Sequence, residues 1–224
     1  MLAFFDLIKN SQNPTLYLLG DIFDYWFEYK TVVPARFYRT LNKIGELVDS
    51  GVEIHYLMGN HDFGHKDFFK REFGIEINPG DIELKIEGKR FFLAHGDGKM
   101  KGDTGYKILK KILRSPISNT LFRLLHPDLG IGLASGSSNK SRAHTDAKEY
   151  GHGEGIKEFA IEKLSEGYDY AIMGHRHKFN YSEHNGGTYI NLGEWLSGNP
   201  KAAIYADGKM DIADINDMIK NTNS

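Results

Sequence analysis

The chain contains no cysteine among its 224 residues. It can therefore have neither a disulfide framework nor a thiolate-bound structural zinc, and its composition suits a reducing compartment. No apolar run approaches the roughly 20 residues that a transmembrane helix needs, and no signal peptide opens the sequence. These absences predict a cytoplasmic protein, in contact at most with the inner face of a membrane.

An excess of either charge is also absent. Lys and Arg number 28 against 30 Asp and Glu, which gives a formal net charge of -2. Nucleic-acid-binding domains usually carry a basic face, so we expect no nucleic-acid partner. With 40% hydrophobic and 26% charged residues, the sequence is typical of a globular protein with one domain and an insertion. It leaves the oligomeric state open.

Four short apolar segments each end in residue types that bind metal ions. The segments end in Gly20-Asp21, Gly59-Asn60-His61-Asp62, His95-Gly96-Asp97 and Gly174-His175-Arg176-His177. Each apolar run predicts a buried strand, and the carboxyl ends of parallel strands meet at one edge of a sheet, where ligands bind. One histidine after a strand is more often a hydrogen-bonded structural residue than a ligand. Four such ends together favour a shared site for Mn²⁺, Fe or Zn²⁺.

This ordered set resembles the calcineurin-like metallophosphoesterase superfamily. Within it, Gly20-Asp21-Ile22-Phe23-Asp24-Tyr25-Trp26-Phe27-Glu28 and the following insertion are similar to the UDP-2,3-diacylglucosamine pyrophosphatases of lipid A synthesis. The resemblance covers almost the whole chain. It implies an α/β fold, a metallophosphoesterase-type β-sandwich flanked by helices, with a helical cap insertion. The superfamily's first motif, Asp-x-His at the end of a first strand, is absent, so we expect that strand to be missing.

By this resemblance Asp21 bridges two metal ions, while Asn60, His95 and His175 complete the protein ligands of one ion. His177 belongs to the other ion, together with the missing Asp and His. The expected metal is manganese, with iron or zinc as alternatives. A chain without Asp-x-His is expected to hold a single ion and to hydrolyse its substrate poorly.

His61 and Asp62 are the candidate catalytic residues. By the resemblance His61 is not a ligand, and it stabilises the phosphoryl transition state or protonates the leaving oxygen. Asp62 would orient His61, and a turn-capping role for Asp62 is equally open. Some pyrophosphatases of this group carry Arg in place of His61, so the superfamily pattern is stronger here than the subfamily pattern.

Three further features point to substrate binding, each with a structural alternative. Trp26 follows the first metal-binding turn closely enough to line a pocket, although packing in the core would explain it equally well. Asn139, Lys140 and Arg142 lie in a small polar loop suited to phosphate contacts, or in a plain linker. The segment Asn191-Leu192-Gly193-Glu194-Trp195 follows a strand and could help to close the pocket, although turn chemistry alone would also account for it.

The hydrophobic pattern divides the chain into a core (1–97 and 149–216), a helical cap (98–148) and a polar tail (217–224). In the cap, basic residues accompany apolar ones such as Ile108, Leu109 and Ile112 at helical spacing. We expect helices whose apolar face turns toward the metal pocket and holds an acyl chain, while the basic residues meet an anionic membrane surface. A solvated insertion packed on the core is the alternative.

The resulting hypothesis is metal-dependent hydrolysis of the pyrophosphate of UDP-2,3-diacylglucosamine, giving UMP and 2,3-diacylglucosamine 1-phosphate. The metal-assisted hydrolysis follows also from the residues themselves, because metal-ion pairs suit phosphate-ester cleavage, whereas the substrate comes from the resemblance. One alternative is a metallophosphoesterase for another phosphodiester or phosphomonoester. Another is a metal-binding or lipid-binding protein without catalysis, because Asp-x-His is missing.

Overall fold

The computed structural model describes residues 1–100, 104–134, 136, 155–196 and 198–222. Its strands are β1 (Thr15–Leu18), β2 (Glu53–Leu57), β3 (Ile77–Asn78), β4 (Ile82–Ile86), β5 (Lys89–Ala94), β6 (Tyr170–Met173), β7 (Asn180–His184), β8 (Gly187–Asn191), β9 (Lys201–Ala206) and β10 (Lys209–Asp214). Its helices are α1 (Leu2–Lys9), α2 (Tyr38–Asp49), α3 (Phe68–Phe73), α4 (Thr104–Leu113), α5 (Pro116–Arg123), α6 (127–134), α7 (Gly155–Ser165) and α8 (Ile215–Thr222). The four strands predicted before the metal-binding residue types are present as β1, β2, β5 and β6.

The strands form a sandwich of two sheets. One is the parallel sheet β1-β2-β3, and the other has the order β4-β5-β6-β8-β7, in which β5, β6 and β8 run parallel. Leu19 and Leu57 from the first sheet's side pack with Phe91, Leu93 and Ile172 of the second. Helices α1, α2, α3 and α8 cover the outer face of the first sheet, and α7 covers that of the second. The α/β sandwich flanked by helices is therefore confirmed.

Helix α2 shows how the sequence produces this layering. Leu41, Ile44 and Leu47 recur at helical spacing and are buried in the core against the first sheet. Strand β2 then returns parallel to β1, with Leu16 opposite Ile54. A parallel return requires such a crossover helix, and it brings both strands to an end at the same edge. Polar residues that follow β1 and β2 are thereby placed side by side.

The last two strands form a separate ribbon. Strand β9 does not continue from β8 as a third strand of a meander, because it pairs with β10. Ala203 and Tyr205 contact the core between the sheets, while Ala202 and Ala213 contact the helix-side core. The ribbon therefore shares the layer of the first sheet. Among the described residues β1 pairs with β2 alone, and the missing first strand stays a prediction.

Most of the predicted polar tail is helical. Helix α8 extends to Thr222, and residues 223–224 lie outside the described part of the chain. Ile215 is buried, and Met218 and Ile219 pack against the same core. Apolar residues at positions i, i+3 and i+4 form one helical face, which stabilises the segment against the body of the protein.

The orientation of helix α4 in the cap is opposite to the predicted one. Helices α4 and α5 form as predicted, but the apolar side of α4 faces solvent, with Ile108, Leu109 and Ile112 exposed by 57%, 50% and 55%. The polar side, which carries Lys110 and is continued by Arg114 directly after the helix, faces the core. A buried carboxylate and backbone carbonyls at the core edge require these donors, and a helix that presents one face inward must turn the other outward.

Within the described ranges, none of the helices combines the length and the apolar character of a membrane span. Residues 137–154, which contain Asn139, Lys140 and Arg142, are not among those described, so their contact with phosphate stays a prediction.

Candidate metal centre

The carboxyl ends of two strands from each sheet meet at one place. Asp21 follows β1 and Asn60 follows β2 in the first sheet, while His95 follows β5 and His175 follows β6 in the second. The His95 ring also bridges the sheets, because its Nδ1 lies 2.8 Å from the backbone oxygen of Leu19. Four residues that the sequence selected as ligands of one ion are therefore brought together.

The four side chains bring their donor atoms close to one another. Ligand atoms of Asp21, His95 and His175 all lie within 4.8 Å of one another. Asn60 Oδ1 lies 2.9 Å from His175 Nδ1 and 3.0 Å from His95 Nε2. A carboxylate, an amide oxygen and two imidazoles are a donor set suited to Mn²⁺, Fe or Zn²⁺. The residues present thus fit a divalent ion.

Tight turns aim two of these ligands inward. Asp21 has φ +53° and His175 has φ +64°, both in the left-handed region. Asp, Asn and His enter this region more readily than most other residues with a side chain. At Gly59, an added Cβ would lie 2.1 Å from Asp21 Oδ1, so only glycine lets the second turn approach the first.

Opposite charges stabilise the ionised forms inside this buried cluster. Burial alone would raise the pKa of Asp21, but the neighbouring His95 and His61 lower it below its usual value. Burial alone would lower the pKa of His95, but the Asp21 carboxylate raises it, because Asp21 Oδ2 lies 3.2 Å from His95 Nε2. Burial, with a smaller effect of His95, lowers the pKa of His175 to about 4. Metal binding to these residues requires deprotonated ligands, so a bound cation would replace the charge that His95 carries when protonated.

The two candidate catalytic residues have different surroundings. His61 lies beside the ligands, with its backbone N–H donating to Asp21 Oδ1 at 2.8 Å and its Nε2 3.9 Å from Asp21 Oδ2. Asp62 is fully buried and accepts hydrogen bonds from Tyr56 Oη at 2.5 Å, Gly59 N at 2.7 Å and Ile22 N at 3.0 Å. The turn-capping role of Asp62 is therefore seen directly, while its orientation of His61 stays a prediction.

Trp26 does not line a pocket in this structure. It is 1% exposed, and its ring packs with Phe23, Phe37 and Phe69 in the helix-side core. Core packing, the alternative weighed from the sequence, accounts for its position because a buried indole cannot reach substrate without rearrangement. His177 is not a member of the Asp21-His95-His175 group, and its assignment to a different ion stays a prediction.

Sequence reasoning named two buried residues without assigning them the structural roles that they have here. Asn191 is fully buried at the end of β8, where its Nδ2 donates to the backbone oxygen of Gly174 at 2.7 Å, directly before His175. Glu28 is buried and accepts from Asp67 N at 2.9 Å and Phe68 N at 3.1 Å, so it binds the amino end of α3. The signal for Glu28 was its place at the end of the Phe-Asp-Tyr-Trp-Phe-Glu stretch, and for Asn191 its place at the end of an apolar strand.

Comparison with known proteins agrees with this geometry. The calcineurin-like phosphoesterase family model matches residues 1–179. The UDP-2,3-diacylglucosamine hydrolase of Porphyromonas gingivalis is 35% identical over 84% of this chain and 78% of its own length. That of Ectopseudomonas mendocina is 31% identical over 82% and 78%, and that of Haemophilus influenzae strain PittGG is 28% identical over 86% and 82%. Because both the family match and the similarity to the first relative extend over most of the sequence, the chain belongs to the calcineurin-like phosphoesterase family.

Proposed function

We propose that this protein hydrolyses the pyrophosphate of UDP-2,3-diacylglucosamine to UMP and 2,3-diacylglucosamine 1-phosphate, with manganese as its metal. The observation that carries the chemistry is the convergence of Asp21, Asn60, His95 and His175 from two sheets. The substrate is supported by the names of relatives that cover most of this chain. Manganese is placed before zinc because two of the four donors are oxygens and the chain has no thiolate.

The residues of the site would have different roles in such a reaction. Asp21, Asn60, His95 and His175 would hold an ion, which when bound lowers the pKa of a water and offsets phosphoryl charge. His61 places an imidazole beside the ligand carboxylate, where it can donate a hydrogen bond to a phosphoryl oxygen or a proton to the leaving oxygen. Asp62 fixes the turn from which His61 projects, because its carboxylate accepts from Gly59 N in the same turn and from Ile22 N in the turn after β1.

The substrate assignment can be tested by comparing substrates on one metal-loaded preparation. The measurement is UMP release from UDP-2,3-diacylglucosamine alongside hydrolysis of a simple nucleotide diester, with Mn²⁺, Fe²⁺ and Zn²⁺ supplied separately to chelator-treated protein. We expect a higher kcat/KM for the lipid nucleotide and the highest rate with Mn²⁺. Faster cleavage of the simple diester would overturn the substrate assignment and favour a general phosphodiesterase.

We also propose that the exposed side of α4 and α5 contacts an anionic membrane surface on its cytoplasmic face. Along with the exposed side of α4, Ile117 and Leu121 of α5 are 74% and 61% exposed. The basic residues Lys107 and Lys111 are exposed on α4 as well. An apolar helical face with flanking cations is the pattern of a helix that lies in the plane of a membrane surface. The exposed side of α4 and α5 would therefore contact a membrane that contains a substrate with two acyl chains.

A further inference from the structure

Three polar side chains, two on α4 and one directly after it, contact the turns that carry the candidate metal ligands. Tyr106, Lys110 and Arg114 follow one another at intervals of one helical turn. Tyr106 Oη donates to Asp97 Oδ2 at 2.9 Å, and Lys110 Nζ lies 2.6 Å from the same oxygen. Helix α4 is thereby fixed to the turn that also carries His95.

Arg114 extends this contact to the neighbouring turn. Its NH2 group donates to the backbone oxygen of Gly59 at 2.9 Å, and its NH1 group donates to the backbone oxygen of Pro79 at 3.2 Å. The same NH2 group lies 3.9 Å from Asp97 Oδ2. One guanidinium therefore links three segments of the core, an arrangement for which its planar fork of donors is suited and the point charge of lysine is not.

The carbonyl that accepts from Arg114 belongs to the peptide group directly before Asn60, a candidate metal ligand. Gly59 O is part of the peptide group that joins Gly59 to Asn60, and this group is planar. A donor on its oxygen therefore restricts the direction in which the Asn60 side chain leaves the backbone. The Asp97 carboxylate is 4% exposed and the Arg114 side chain is 19% exposed, so these contacts compete little with water.

We infer that Arg114 is a positioning residue that orients the Asn60-His61 turn, and that Asp97 anchors α4 so that Arg114 can do so. The inference deepens the proposed function and rests on it for its catalytic part. Its metal-binding part does not depend on which substrate is cleaved. Groups that orient metal ligands typically change metal affinity by about 10-fold to 100-fold when they are removed.

The test compares Arg114→Met with Arg39→Met, an exposed arginine on α2. Chelator-treated proteins are titrated with Mn²⁺, and kcat and KM are measured on metal-saturated samples. We expect Arg114→Met to weaken Mn²⁺ binding about 10-fold and to lower kcat more than it raises KM, while Arg39→Met matches the parent. Parent-like Mn²⁺ affinity and kcat in Arg114→Met, or equal losses in both variants, would overturn the inference.

Arg114→Lys serves as a second variant, because it keeps the charge and the aliphatic stem and loses the fork. It should fall clearly below the parent in Mn²⁺ affinity, whereas complete recovery would show that charge alone matters and would contradict the positioning role. If the parent binds Mn²⁺ and does not release UMP, the proposed function fails, and the Mn²⁺ titrations still decide the role of Arg114.

Discussion

At the scale of single residues, Asp21 and His61 lie side by side, but we expect their replacement by alanine to have different effects. Asp21→Ala removes a carboxylate that lies among the ligand atoms, so the protein should lose both metal and turnover. His61→Ala should keep near-parent metal content and lose about 10²-fold to 10⁴-fold in kcat, as removal of a general acid does. The measurement is metal analysis and kcat on the same purified samples.

His55→Ala is the matched control for the His61 variant. The His55 ring stacks on Tyr17 at a centroid distance of 4.7 Å, in the middle of β2 and not after its carboxyl end, and its side chain is 38% exposed. It should therefore keep both metal and activity. Loss of metal in His61→Ala together with retention in Asp21→Ala would reverse the two roles.

At the scale of an element, the outer face of α4 is expected to contribute to lipid binding and not to the hydrolysis step. Replacing Leu109 and Ile112 together by Asp removes two apolar side chains, each worth about 1.5–3 kcal/mol when fully buried. Binding to vesicles that contain anionic lipid should fall at least about 10-fold. The KM for the lipid nucleotide should rise, while hydrolysis of a simple diester stays at the parent rate.

Tyr38→Asp provides the control for this experiment, since Tyr38 is a 69% exposed aromatic residue on α2. It should leave vesicle binding unchanged. If the α4 double variant kept parent vesicle binding and parent KM, the membrane contact and the acyl-chain site would both have to lie on another surface.

The same helix shows what the sequence could and could not predict about elements. Its existence follows from local spacing, and so do the strand ends that carry Asp21 and His175. Its orientation depends on Asp97, which lies outside the helix, and on the Gly59 carbonyl, which is 55 residues from Arg114 along the chain. Hydrophobic periodicity identifies two faces of a helix, but it does not say which face has the stronger partner. The buried position of Trp26 was undetermined for a similar reason, because strand periodicity does not extend into an irregular turn.

At the scale of the whole molecule, a bound ion would join the two halves of the sandwich. Asp21 and Asn60 come from one sheet, and His95 and His175 from the other. The unfolded chain does not assemble these four ligands, so the metal should stabilise the native state by about 2.7 kcal/mol when its concentration is 100 times Kd. Urea denaturation with and without Mn²⁺ measures this difference.

Asp21→Ala is the control for the stability measurement, because it lacks a ligand and should show little dependence on Mn²⁺. An equal Mn²⁺ effect in this variant and in the parent would mean that the stabilising ion binds elsewhere. The comparison of the two proteins also removes any general effect of added salt.

The left-handed backbone at Asp21 and His175 restricts how this protein can be engineered toward another metal. A β-branched or bulky residue at either position would add backbone strain of about 1–3 kcal/mol to the loss of a ligand. Asn at position 21 and Asp or Asn at position 175 are the exchanges that the local conformation tolerates. Asn60 and His95 have ordinary negative φ angles, so they accept a wider range of side chains. A library designed to change metal selectivity would therefore place its diversity at positions 60 and 95.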